Sequence, residues 1–325
     1  MIMGLKNKIM AAALGLITLF GPTLNIHSKQ ETIEQKVEYK TEITLEQNKA
    51  QARDYNLEGR LTVLGFDLLI NGLKSGIGAK YNGDDFWPAF GKGVLSGAVV
   101  YAGKEIASFN EFPFLGATGK LVHDLGVSMS DNVMLSKPIL SRYVTDFGPL
   151  EVHFEKGKDT KIYVHISPIV SIIKNFADKN KFELKETIYN FTPVFSFEVP
   201  LEIQQKGEFI GGYASQNIMT YCRNCQTDNF DLSSKSHEMN HVLFFSEFRF
   251  IDDLMPKKSE MVEKMLFLHP LAPLADYIRI GPMLAQGIFI LPKLFSEKAY
   301  WYSPQELEAY TMQRPQYKNS HPFYR

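Results

Sequence analysis

The alternation of apolar and polar positions is sharpest between residues 150 and 166. Leu150, Val152 and Phe154 alternate with Glu151, His153 and Glu155; after Gly157-Lys158-Asp159-Thr160, Ile162, Val164 and Ile166 alternate with Tyr163 and His165. Two stretches of period two around a turn-forming segment predict a β-hairpin. His153 and His165 fall on its polar face, where they read as solvated histidines, with a second metal site as the alternative. Further strand-like runs cover 182–189, 194–203 and 208–221. After Ser233 the pattern turns helical, interrupted by prolines at 256, 270, 273, 282 and 292. Strands followed by helices predict an α+β fold.

Upstream the pattern differs. Residues 61–130 are rich in Gly and Ala within apolar runs, as in GKGVLSGAVVYAGKEIA at 91–107. Gly93, Gly97 and Tyr101 recur every fourth residue, and small residues at that spacing let two helices approach closely. Lys92, Lys104 and Glu105 oppose a membrane span, so this region reads as tightly packed soluble helices. The glycines of 72–83 and 116–120 fit neither a P-loop nor a G-x-G-x-x-G turn and read as turn or packing positions. Residues 29–54 are polar and mixed in charge, as a solvated spacer or a loosely held helix would be.

At the amino terminus, Lys6 and Lys8 precede 12 apolar residues, Ile9 to Phe20, which Gly21-Pro22 breaks. That run is shorter than the roughly 20 residues of a membrane helix and fits a secretory signal. No A-x-A-like cleavage pattern follows, which leaves an uncleaved anchor as the alternative. Either places the body of the protein outside the cytoplasm, and an uncleaved anchor would add membrane association through this segment. The chain thus divides into a signal or anchor (1–22), a polar spacer (23–54), a Gly/Ala-rich packing region (55–145) and a carboxyl-terminal domain (146–325) that holds the candidate chemistry.

Composition narrows the function. With 325 residues and 45% hydrophobic content the chain can build a sizeable core. A net charge of −1 and scattered aromatics exclude the basic, base-stacking surface that nucleic-acid binding needs. The chemistry concentrates at 233–248, SSKSHEMNHVLFFSEF. His237, Glu238 and His241 spell H-E-x-x-H, which on a helix puts both imidazoles on one face, one turn apart. Glu238 is rotated about 100° from His237, so its carboxylate stands beside a shared ion, within reach of metal-bound water. Ser233, Ser234 and Ser236 offer amino-terminal caps, and Asp231 adds favourable charge to the first turn.

This stretch resembles the active-site helix of the zincin metallopeptidases. The resemblance covers about 208–248 and one later helix. It implies a zincin-like core with an antiparallel sheet, catalytic Zn2+, a peptide or protein substrate, and Glu238 as general base. It also implies an edge strand before the helix that pairs with substrate, a place taken by FIGGYASQNIMTY at 209–221. The third histidine of the metzincin branch is missing, so a downstream carboxylate must complete the site. SPQELEAYTM at 303–312 offers Glu306, with Ala309 three residues on and Tyr310 where the family usually has Asp. Glu308 is the alternative, because Ser303-Pro304-Gln305-Glu306 also forms a capping box that competes for the Glu306 side chain. Tyr310 is a candidate transition-state stabiliser; Tyr302, His269 and Arg279 are further donors.

Cys222 and Cys225 are the only cysteines. With the two histidines they read C-x2-C-x11-H-x3-H, one residue short of a C2H2 finger, so a structural Cys2His2 zinc site is the rival reading. A finger's Phe and Leu landmarks are displaced here, and no second copy follows. A local disulfide, or two free thiols, suits an exported protein better. The remaining alternative is a non-catalytic envelope protein whose H-E-x-x-H is degenerate.

Overall fold

A computed structural model describes residues 38–109, 112–200, 202, 212–224, 228–254, 277–284, 308–309 and 311–312. By its contacts the chain divides into Met1–Asp54 and Tyr55–Arg325. Of the first unit the described part, 38–54, is helical. The fold of the second is α+β. The apolar run 9–20 lies outside the described residues.

Three helices come first: α1 (Glu38–Tyr81), α2 (Phe86–Ala107) and α3 (Leu115–Met134). Glycines bring their backbones together. A Cβ on Gly97 would stand 2.3 Å from the Asp67 carbonyl oxygen of α1, and one on Gly103 would stand 2.4 Å from the His123 nitrogen of α3. The faces so joined are polar. Asp67, Asn71, Ser75, Ser96, Lys104, Lys120, His123, Asp124 and Asp131 are all buried, whereas Leu61, Leu69, Leu73, Ile77 and Leu95 are exposed. Buried charge requires partners. Lys74 reaches Asp131 at 2.9 Å, and Lys104 reaches Asp67 at 2.7 Å.

The first sheet contains β1 (Arg142–Phe147), β2 (Leu150–Glu155) and β3 (Lys161–His165), all antiparallel, with β8 (Ile278–Arg279) parallel to β3. The hairpin predicted from period two is β2–β3. Its faces are inverted from the expectation of a solvated polar side: Glu151, His153 and His165 are buried, and Leu150, Phe154 and Ile162 are exposed. Nor do the two histidines face each other, since the register pairs His153 with Lys161 and Glu151 with Tyr163.

The second sheet runs β4 (Lys181–Phe182), β5 (Val194–Phe197), β7 (Met219–Cys222) and β6 (Gly212–Ala214), in that spatial order. Helix α4 (Ile166–Ala177) links the sheets. The strand expected over 182–189 is mostly a helix, α5 (Leu184–Asn190). Leu184 and Ile188 are four apart, and a short apolar run suits either element until its neighbours choose. Here Thr187 Oγ1 accepts the Val194 amide at 3.0 Å, and Phe191 turns the chain in a left-handed conformation. Then come α6 (Asp228–Ser246), a 3-10 turn (Glu247–Arg249) and α7 (Phe250–Leu254).

Two substitutions test the glycine-dependent packing. Gly103→Val should destabilise the protein by about 3 kcal/mol, because the backbone of α3 leaves no room for the side chain. Gly91→Ala, with no atom within 4 Å of the added Cβ, should be neutral or stabilising by up to about 1 kcal/mol. Chemical denaturation of both variants measures the difference.

Candidate metal centre

Helix α6 is held by its apolar side. Met239, Val242 and Leu243 are buried against Val194, Met219 and Tyr221 of the second sheet and Ala107 of α2. The helix begins at Asp228, five residues before the expected serine caps, so Ser233, Ser234 and Ser236 lie inside it. Ser236 instead directs its hydroxyl to the Ser108 carbonyl, 3.3 Å away at the end of α2. Asn240 Nδ2 donates to the Ser236 carbonyl at 2.8 Å, one turn back.

His237 and His241 lie on one face, as their spacing requires. Their rings meet edge to face, with the two Nε2 atoms 3.0 Å apart. That separation is an N–H···N hydrogen bond for a neutral pair. It also fits two ligands at about 2.05 Å from one ion, subtending about 95°. The ring of His241 stacks on Phe245 at 6.5 Å. Glu238 turns toward β6: a Cβ on Gly212 would stand 2.9 Å from Glu238 Oε1 and 2.9 Å from the Thr220 carbonyl. Only glycine at 212 lets the carboxylate lie this close to the strand. Among the described residues β6 is an edge strand, paired on one side to β7. The sequence showed the strand but not this glycine's part; the signal available was a Gly pair just before an alternating run.

The carboxylate expected from the sequence to join the two histidines is not placed beside them among the described residues. Glu306 and Tyr310 lie outside them, as do Tyr302, His269 and Cys225. Glu308 is described and is occupied elsewhere: it is buried and 2.7 Å from Lys104 Nζ, which also contacts Glu247 at 2.5 Å. Among the described residues no group of three His, Cys, Asp or Glu side chains is arranged to hold a metal. Cys222 is disulfide-bonded and therefore has no thiolate to offer a zinc ion.

Arg279 serves a different centre. Its Nε donates to Glu151 Oε1 at 2.8 Å and its Nη1 to Asp253 at 3.1 Å. His153 Nε2 lies 2.5 Å from Glu151 Oε1, and His165 Nε2 lies 3.1 Å from Oε2. The cation on this carboxylate is the guanidinium, and the two histidines expected to be solvated are buried around it. Burial opposes charge on Glu151, but Arg279, with the His153 and His165 hydrogen bonds, overcomes it and holds the carboxyl well below its usual range. Burial also pushes His153 below the ordinary histidine range, against the pull of Glu151.

Compared with protein-family models, curated proteins and solved structures, the chain matches none. Its chemistry must be read from its own residues.

A carboxyl that binds protons more weakly when folded contributes stability above its unfolded value, about 4.3 for glutamate, and loses it as the pH falls toward the folded value. Glu151→Gln should cost about 3 kcal/mol at pH 7 by leaving Arg279 short of a buried partner. The gap to the wild type should stay wide down to about pH 4 and narrow below it. Melting temperatures of both proteins from pH 3 to 8 read this directly.

Proposed function

We propose that this chain is a zinc-dependent metallopeptidase that hydrolyses peptide bonds outside the cytoplasm. The observation that carries the reading is the convergence of His237 and His241, Nε2 to Nε2 at 3.0 Å, on a helix whose next residue, Glu238, lies against an edge strand. His237, His241 and Glu306 would hold the ion, since Glu308 is engaged with Lys104. Bound there, zinc supplies a Lewis acid for the scissile carbonyl and a water of lowered pKa. The other roles fall to the chain. The β6 edge offers backbone groups along which an extended peptide can pair. Glu238 takes a proton from the attacking water and delivers it to the leaving amine. Tyr310 is the candidate donor to the oxyanion.

The disulfide at Cys222 supports an oxidising location, in keeping with export by the 1–22 segment as signal or anchor. It also favours the open site over a Cys2His2 module. The competing reading is a degenerate H-E-x-x-H whose histidines only bond each other.

Metal content per chain separates these readings. The wild type should carry one zinc; Glu306→Ala should weaken binding, and Cys222→Ser should leave it intact. Glu238→Gln should retain zinc and lower peptidase turnover by about 100-fold or more. A folded wild type that takes up no zinc would leave the motif as a piece of helix.

A further inference from the structure

The first three helices are inside out. Between Arg60 and Lys80 every ionisable side chain of α1 points inward: Asp67 is fully buried and Lys74 is buried. The outward positions are Leu57, Leu61, Leu69, Leu73 and Ile77, four or eight residues apart and 36–61% exposed. On α3, Lys120, His123, Asp124 and Asp131 are all completely buried, whereas Leu121 is exposed. On α2, Lys104 and Ser96 are buried and Leu95 is 58% exposed. A water-soluble bundle sorts its residues the other way.

The dimensions of the uncharged stripe are informative. From Leu61 to Ala79 it is about 27 Å long at 1.5 Å per residue, close to the roughly 30 Å hydrocarbon thickness of a bilayer. Charge and aromatic residues mark both ends. At one end stand Lys80, Asp84 and Asp85, with exposed Tyr81 and Trp87. At the other, Arg60 pairs with Glu105 at 2.5 Å, and Phe109, Phe112 and Phe114 are exposed in the turn between α2 and α3. Lys92, exposed on the second turn of α2, is near enough to the Trp87 end for its stem to carry the ammonium to the headgroups. Glycine-mediated backbone contact between helices, and inward ionisable groups in mutual pairs, are the packing rules of membrane bundles.

Among the described residues no helix is long and apolar enough to cross a membrane. The mean hydropathy of any stretch of helix, however, counts the inward polar face together with the outward one. A lipid meets only the outward one.

We infer that α1 from Leu57, together with α2 and α3, forms a bilayer-embedded layer, with lipid acyl chains against the Leu61–Ile77 stripe. The charges of Lys92, Lys104 and Glu105 are compatible with this setting: Lys104 is fully buried among Asp67, Glu247 and Glu308, Glu105 is paired with Arg60, and Lys92 lies toward the Trp87 end. Because Ser236 touches Ser108 at the phenylalanine end of the bundle, the H-E-x-x-H segment of α6 lies near one face of this layer. The inference does not depend on that motif binding metal.

The test is site-specific, so that attachment through residues 9–20 cannot imitate it. Single cysteines replace Leu61, Leu69, Leu73, Ile77 and Lys80 in the full chain, carry nitroxide labels, and are reconstituted in phosphatidylcholine–phosphatidylglycerol vesicles. Collisions with oxygen and with a water-soluble nickel chelate report depth. From 61 to 77 oxygen access should be high and nickel access at least about 5-fold below that at Lys80, with greatest depth near Leu69. Nickel access equal to that at Lys80 along the stripe would overturn the inference. So would shielding from both reagents, which would mean protein, not lipid, covers the face. If labelled variants do not fold, Trp301→Phe leaves Trp87 as the sole tryptophan. Lipids brominated near the headgroup should then quench it more than lipids brominated at the chain end, and absence of quenching by either overturns the inference.

Discussion

Lys104 stands without solvent exposure near the end of α2, and its ammonium meets carboxylates from three distant parts of the chain. Asp67 comes from α1 at 2.7 Å, Glu247 from the turn after α6 at 2.5 Å, and Glu308 from near the carboxyl terminus at 2.7 Å. The ammonium donates a hydrogen bond to Asp67 and makes ion-pair contacts with Glu247 and Glu308. Removing the ammonium would leave three carboxyl groups facing one another in a place water does not reach, which costs more than a surface pair contributes. The same logic recurs where Arg249 binds Asp131 at 3.1 Å and the Val144 carbonyl at 3.1 Å, fastening the end of α6 to α3 and β1.

These pairs decide where α6 lies, and so where its histidines lie. One side of the helix is fixed by Met239, Val242 and Leu243 on the second sheet. Its end is fixed by Glu247 and Arg249. The remaining face carries His237 and His241, and Gly212 leaves room for Glu238 beside β6. A rigid helix bearing two imidazoles next to a strand edge is the arrangement on which the metallopeptidase proposal rests. The inward charges and glycines that anchor α6 also leave the aliphatic side of α1 facing outward. A single sorting of polar from apolar surface thus underlies both proposals.

Much of this was legible at the level of elements. The hairpin at 150–165, the strands around 194 and 219, the helix carrying H-E-x-x-H and the close approach at Gly97 follow from periodicity and residue size. Orientation was not legible. Alternation along β2 says that Leu150 and Phe154 share one face and Glu151 and His153 the other, but not which face is inward. That choice was made by Arg279, 128 residues away in sequence from Glu151. Likewise the serines before His237 suit a cap equally well in any helix starting nearby, and the residues around 184–190 suit strand or helix.

By itself the sequence determined the local quantities: the period of each segment, the one-turn separation of His237 and His241, the smallness of residues 93 and 97, and the presence of just two cysteines three positions apart. Each depends only on near neighbours along the chain. Tertiary structure alone decided which faces are buried, which carboxylates answer Lys104 and Arg279, and that Glu308 is bound to Lys104 and does not join the histidines. Those outcomes turn on the desolvation of charge, and desolvation is set by what packs from elsewhere in the chain, not by the residue that carries it.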